Sequence, residues 1–174
     1  MLHAASGSTG TAPTQRARPC IRIGGIMRWR NLVRLGVMNV PDKPGVAAAI
    51  FRALGERGIN VLFIVQSADL RKQTHIVFCV NACDLEGARE VLCGLGPRLE
   101  AEAIIEEPGL AIISIFGPDF RERAGIAGAM FGALAEAGIN ILAISTSIST
   151  CSCLVREEEL ACATAALEAR FILP

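Results

Sequence analysis

A stretch of 23 residues occurs twice in this chain, and the second copy starts 80 positions after the first. The copies read GVAAAIFRALGERGINVLFIVQS from Gly45 and GIAGAMFGALAEAGINILAISTS from Gly125, with 13 of the 23 positions identical and no gap. Self-similarity of this kind indicates two copies of one supersecondary unit. A chain of 174 residues provides about 75 residues for each copy and its flanking segments.

Each copy contains a predicted amphipathic helix. Pro44 suits the first turn of the first helix, and Gly58 and Gly138 follow the last turns, where a left-handed residue commonly ends a helix. Apolar residues four positions apart form one stripe on each helix. The stripes are Val46, Ile50 and Leu54 in the first copy, and Ile126, Met130 and Leu134 in the second.

The segments around these helices predict strands and a second helix in each copy. Taken in order, each copy follows the βαββαβ pattern of ferredoxin-like modules, so the fold class is α+β. The predicted strands are Leu32–Val40, Ile59–Gln66, His75–Asn81 and Leu99–Ile105, then Leu110–Phe116, Ile139–Thr146 and Thr150–Val155; the second helices are Asp84–Leu95 and Glu157–Ala169.

The second copy ends before its fourth strand, because only Phe171–Pro174 follow its second helix. The strand-like segment left over is Ile21–Met27, ahead of the first copy. We therefore predict a discontinuous second module, composed of residues 21–28 and 109–174, which encloses a first module at residues 30–108. Residues 1–20 are predicted to be a flexible leader, since they have little apolar content.

Composition argues against several classes of function. The 17 basic and 17 acidic side chains balance, which removes the positive charge that nucleic-acid binding usually requires. No apolar run approaches the roughly 18 residues that span a bilayer, and the start of the chain has no secretory signal. We expect no nucleic-acid or membrane partner and a cytoplasmic location.

Seven cysteines lie in apolar surroundings without the spacing of a disulfide framework, so reduced thiols are expected. They form no Cys-x-x-Cys motif, and the chain has only two histidines, which disfavours a metal or redox site. No cofactor is predicted.

The strand Ile59–Val65 does not alternate apolar and polar residues, so both its faces need to be covered by other parts of the protein. The other module and a second chain would supply it, which predicts at least a dimer.

The ordered motifs of both copies resemble the tandem ACT modules that form the regulatory region of aspartate kinase. The resemblance covers about residues 23–173. It rests on VPDKPGVA from Val40, GINV from Gly58, IVQ from Ile64, GINI from Gly138 and ISTS from Ile144.

This resemblance implies a binding site for a free amino acid, commonly lysine or threonine, where the first module of one chain meets the second module of another. The turn Pro41–Gly45 opens a helix whose unpaired N–H groups suit an α-carboxylate, and Asp42 suits the ligand ammonium. The implied effector-binding residues are Asp42, Pro44, Gly45, Val46, Ala47, Asn60, Gln66, Thr74, Asn140 and Ile141. Asp42 and Asn60 are also ordinary turn formers, and Gln66 could simply end a strand.

Catalytic machinery is not evident in the sequence. Ile23–Ile26 lacks the spacing and the cation of a phosphate-binding loop, and His75 is expected to be a sheet residue rather than a base. The resemblance implies a regulatory part of an aspartate kinase that acts on a catalytic domain or subunit. Such a part is a separate subunit, an internal translation product or a fragment of a longer enzyme. A dimerisation module that binds no ligand is the alternative hypothesis. A small stand-alone enzyme, such as a phosphatase, is the weakest of the three hypotheses.

Overall fold

The computed structural model describes residues 21–121 and 123–174. The predicted leader at residues 1–20 lies outside them. Four α-helices and eight strands follow one another along the described chain. In order, they are β1 (Ile21–Arg22), β2 (Gly25–Pro41), α1 (Val46–Glu56), β3 (Phe63–Ala68), β4 (Gln73–Asn81), α2 (Leu85–Leu99), β5 (Ala103–Phe116), α3 (Ile126–Glu136), β6 (Ala143–Thr146), β7 (Thr150–Arg156), α4 (Leu160–Arg170) and β8 (Phe171–Ile172).

Six of the strands form one antiparallel sheet in the order β3-β4-β2-β5-β7-β6. The two long central strands each serve both halves of the sheet. Residues 34–38 of β2 pair with 103–107 of β5, whereas residues 25–29 of β2 pair with 112–116 of β5. Each half is thus a four-stranded sheet with two helices, which confirms the predicted α+β class with ferredoxin-like βαββαβ modules.

The N-terminal strand segment supplies the fourth strand of the second half, through the pairing of Gly25–Trp29 with β5. The chain end adds a small parallel pair, in which Ile21 lies opposite Phe171 and Arg22 opposite Ile172. Both ends of the described chain therefore meet beside the second module.

Helices α1 and α3 end in the same way, and this shortens the strands that follow them. Gly58 and Gly138 have φ of 71° and 74°. The N–H groups of Ile59 and Ile139 donate to Leu54 O and Leu134 O at 3.0 and 2.9 Å. This is the Schellman arrangement, in which the residue after the glycine folds back onto the helix. The predicted strand starts at Ile59 and Ile139 are therefore wrong, and β3 and β6 begin at Phe63 and Ala143.

Three buried clusters form the core. Two of them lie between the helices and the sheet, one in each module. The third lies on the other face of the sheet, where the edge strands β3 and β6 contact each other. Its buried members are Leu32, Phe63, Cys79, Leu110, Ile112 and Leu154, with Leu62, Val65, Leu142 and Ala143 packed against them. The other module thus covers the inner face of β3. In the described part of the chain, no helix is long and apolar enough to cross a bilayer.

Candidate functional site

The turn from Pro41 to Gly45 leads from β2 directly into helix α1. Gly45 has φ of 98°, a left-handed conformation that favours glycine, and its carbonyl accepts the first helical bond, from Ala49 N at 2.9 Å. No side chain among the described residues caps this end of the helix. The N–H groups of the first turn therefore point out of the helix without an intrahelical acceptor, and the positive end of the helix dipole lies beside them.

Two hydrogen bonds fix Asp42 at this turn. Its N–H donates to Lys72 O at 3.1 Å, and its Oδ1 accepts from Thr74 Oγ1 at 3.2 Å. Thr74 is 2% exposed, whereas Asp42 is exposed. A buried hydroxyl on β4 thus holds an accessible carboxylate next to the start of α1.

A cavity of about 380 Å³ opens between this turn, the start of α1 and strands β3 and β4. Seven of the ten residues predicted for effector binding line it: Asp42, Pro44, Gly45, Val46, Ala47, Gln66 and Thr74. The lining combines a carboxylate, backbone N–H donors and a side-chain amide with small apolar side chains. This arrangement suits a small zwitterion whose anionic end faces the helix and whose cationic end faces Asp42.

The other three predicted residues lie away from this cavity within one chain. Asn60 follows the C-terminal end of α1, and the 11 residues of that helix separate it from the cavity by roughly 16 Å. Asn140 and Ile141 occupy the equivalent position after α3. Both asparagines are exposed, and Ile141 packs partly buried against the core of the second module.

Pro41, Lys43 and Ala48 also line the cavity, although they were not predicted as binding residues. Lys43 Nζ lies 2.9 Å from Glu100 Oε1, and both side chains are mostly exposed. Lys43 also lines an adjoining cavity of about 250 Å³, together with Arg98 and Glu100. Lys43 belongs to the predicted turn, and that position could have identified it as a lining residue. No sequence pattern predicts its contact with Glu100, which lies 57 positions away.

The turn between β3 and β4 carries the Lys72 carbonyl that accepts the hydrogen bond from Asp42 N. Asp69 Oδ1 accepts from Arg71 N at 2.8 Å and from Gln73 N at 2.9 Å. The bond from Gln73 contributes most to holding the pKa of Asp69 below its usual range, and the Arg71 N–H bond and the charges of His75 and Arg71 add to it. An ionised Asp69 therefore stabilises the turn that presents Lys72 O to Asp42.

The equivalent turn of the second module leads to Gly125, which has φ of 90° and precedes α3. Glu122 and the side chains of Asp119 and Arg121 lie outside the described residues.

The cysteines fall into a buried and an exposed group. Burial raises the pKa of Cys151 and raises those of Cys79 and Cys153 to about 12, which keeps these thiols protonated and unreactive near neutral pH. The exposed group is Cys83, Cys93 and Cys162, and all six are free; Cys20 lies outside the described residues. Within residues 21–121 and 123–174, no cluster of three or more His, Cys, Asp or Glu side chains could hold a metal ion.

Comparison with known proteins gives two matches to the ACT domain, at residues 33–92 and 113–171. An aspartate kinase of Stutzerimonas stutzeri is 36% identical over 151 residues, covering 87% of this chain and 37% of that protein. The chain thus spans little more than a third of the length of this relative.

Two solved structures of similar length also match. The regulatory subunit of aspartate kinase from Thermus thermophilus, in its ligand-free form, has a TM-score of 0.79 at 30% identity, with 86% of this chain and 99% of that chain covered. A structure of aspartokinase alpha and beta subunits has a TM-score of 0.77 at 34% identity, with 85% and 97% covered.

Proposed function

The chain belongs to the ACT domain family, as a tandem ACT regulatory region of aspartokinase, and we propose that it binds a free amino acid of the lysine or threonine type in the Asp42–Thr74 cavity. The observation that carries this proposal is the placement of an exposed, anchored carboxylate beside an uncapped helix start in a cavity of about 380 Å³.

In the proposed complex, the α-carboxylate of the ligand accepts hydrogen bonds from the first-turn N–H groups of α1, next to Val46 and Ala47. The α-ammonium donates to Asp42, which Thr74 holds in place. Gln66, on the adjacent strand β3, offers its amide to the ligand side chain. Each end of the zwitterion thus meets a group of opposite charge, and this selects a free amino acid over a peptide.

The charges of the lining favour threonine over lysine as the effector. Asp42 is the one acidic side chain among the described residues that line the cavity. The α-ammonium of the ligand already occupies it, so a lysine ε-ammonium would need a second carboxylate. A hydroxyl side chain is satisfied by the Gln66 amide without any further charge.

We propose that a second copy of this chain completes the site. Asn140 and Ile141, which lie apart from the cavity within one chain, would approach it from the second module of the partner. Ile64 and Ile144, at matching positions of the edge strands β3 and β6, are 46% and 42% exposed. Exposed apolar side chains at two matching positions support a homodimer, because apolar surface of this kind is commonly covered by a partner in stable proteins.

The proposed role is allosteric. A ligand bound between two chains favours the arrangement of modules that binds it better, and that preference shifts the equilibrium of an attached or associated aspartate kinase catalytic domain. The proposed output is control of aspartate-family amino acid biosynthesis. The free, partly buried thiols support a reducing, cytoplasmic setting.

The proposed domain division is a first module at residues 30–108, a second module at 21–28 and 109–174, and a leader at 1–20. It is supported by the pairing of 25–29 with 112–116 and of 34–38 with 103–107.

A thermal-shift screen of the 20 amino acids tests the proposal. Ligand at 100 times its Kd stabilises the fold by about 2.7 kcal/mol, which raises Tm by roughly 5–10 °C in a chain of this size. Asp42→Ala should abolish the shift, and Glu56→Gln, at the other end of α1, should leave it unchanged. No shift with any amino acid would reject the effector proposal.

A ligand-free dimerisation module is the second candidate, and the exposed Ile64 and Ile144 favour it. The thermal-shift response to amino acids, measured together with light scattering on the same samples, separates the two candidates. A dimer that neither changes with ligand nor melts at a higher temperature supports the assembly role alone.

A further inference from the structure

A bulge in β2 lies three residues before Asp42. The register between β2 and β4 shifts between Val37 and Val40, and Asn39 within that shift has φ of 53°. Asparagine tolerates this left-handed conformation better than most residues, but the bulged backbone still needs partners for its polar groups. Its position decides how the chain enters Pro41 and Asp42.

His75 supplies one of those partners. The backbone N–H of Asn39 donates to His75 Nδ1 at 3.3 Å. A ring nitrogen accepts a hydrogen bond only when it carries no proton, so this contact requires the neutral ring, with its proton on Nε2. On the other side of the bulge, the Asn39 amide Nδ2 donates to Glu102 Oε2 at 2.5 Å. The bulge is thus held between an imidazole and a carboxylate.

The same imidazole is one residue from the cavity. His75 directly follows Thr74, which donates to Asp42, and Thr74 lies opposite Val40 in the sheet. The contact from His75 to Asn39 therefore ties the two strands together immediately beside the residues that present the Asp42 carboxylate.

The groups that surround the imidazole set the effect of a proton. Asp69, in the β3–β4 turn, interacts electrostatically with His75, and Glu102 approaches through Asn39. The residue opposite His75 on β3 is the uncharged Ser67. A proton on Nδ1 places two donors face to face at Asn39, so the contact that ties His75 to the bulge is lost.

We propose that His75 is a positioning residue for the effector cavity and that its protonation weakens effector binding. The inference rests on the proposed function, since it concerns the same cavity. Histidine is the side chain whose charge ordinarily changes between about pH 5 and pH 8. The Asn39 bulge has its acceptor while the ring is neutral, and the cavity loosens when Nδ1 gains a proton.

Threonine titrations of the full chain at pH 8 and pH 5.5 test the binding side, with lysine as a second probe. Losing one hydrogen bond that orients the site predicts binding roughly three- to tenfold weaker at pH 5.5. His75→Asn offers a side-chain oxygen that accepts from Asn39 at every pH, so it should bind as the wild type does at pH 8 and lose the pH dependence. His75→Leu has no acceptor and should bind weakly at both pH values.

A ligand-independent measurement keeps this inference separate from the proposed function. In NMR titrations of the free chain, the amide signals of Asn39, Asp42 and Thr74 should shift with the midpoint of the His75 ring. The chain has two histidines, so His75→Asn assigns that ring signal. Amide signals whose pH midpoint matches that of the His75 ring support the inference, even where neither threonine nor lysine binds. Amides that ignore it, or a His75→Asn variant that keeps the wild-type pH dependence of binding, would overturn it.

Discussion

Glu107 Oε1 lies 2.7 Å from Arg156 Nη2, and the other oxygen of the same carboxylate binds Arg34. Arg34 belongs to the first module and Arg156 to the second, so one carboxylate on β5 joins the two halves of the sheet. Arg34 and Glu107 each have 22% of their side chain exposed, and Arg34 Nε is buried without a partner among the described residues. Arg34 therefore depends strongly on Glu107 for compensation of its charge.

Replacement of Glu107 by Gln should destabilise the chain markedly, because it leaves the Arg34 guanidinium partly buried and without a counter-charge. Breaking a fully buried pair costs about 3–5 kcal/mol, and the partial exposure here lowers the expected loss to about 1–3 kcal/mol. Urea denaturation followed by circular dichroism gives the unfolding free energy directly.

The neighbouring Glu106 provides the control for that measurement. It pairs with Arg89 at 3.1 Å on an exposed surface, with 42% and 39% of the side chains accessible. Glu106→Gln should change the unfolding free energy by less than about 1 kcal/mol, because solvent reaches both members of the pair. Equal losses in the two variants would contradict the role assigned to Glu107.

Two glycines of the first module should respond in opposite directions to replacement by Ala. Gly45 has φ of 98°, and a Cβ there would meet nothing within 4 Å, so Gly45→Ala isolates backbone strain. A left-handed conformation costs a residue with a side chain about 1–2 kcal/mol, which the unfolding free energy should lose. Gly55 lies inside α1 with equally open space, so Gly55→Ala should gain about 0.5–1 kcal/mol. Losses of similar size in both variants would refute the strain argument.

The repeat was sufficient to predict the fold class, because strand-like and helix-like hydrophobic patterns follow each other in the same order in both copies. The errors came at the ends of elements. Ile59 and Ile139 were predicted as strand residues because each opens an apolar run. In the structure their N–H groups donate to Leu54 O and Leu134 O at the helix ends, and their side chains are buried in the cores between helices and sheet. The helix Leu85–Leu99 runs through Pro97, and the predicted strand start at Leu99 lies in its last turn.

The candidate site was predictable where it is local in sequence. The turn from Asp42 to Ala47 is one continuous segment, whereas Gln66 and Thr74 were assigned by resemblance to a family. The Lys43–Glu100 contact was beyond sequence reasoning, since it depends on where the end of α2 meets the turn. The same holds for His75, whose partner Asn39 is selected by a β-bulge that no sequence pattern predicts.

Alkaline pH should destabilise the fold through the two most deeply buried thiols. Burial raises the pKa values of Cys79 and Cys153 from the unfolded value of 9.0 to about 12, so above pH 9 the unfolded chain binds fewer protons than the folded chain. The contribution of these thiols to stability is therefore complete well below pH 9, and it falls as the pH rises through the window between these values. From pH 8.5 to 10, the unfolding free energy should drop by about 2 kcal/mol in total. The double variant Cys79→Ala and Cys153→Ala should lose most of that slope in urea denaturation, whereas replacing the exposed Cys83 and Cys93 by Ala should keep it. A slope that survives the first double variant would show that other groups cause it.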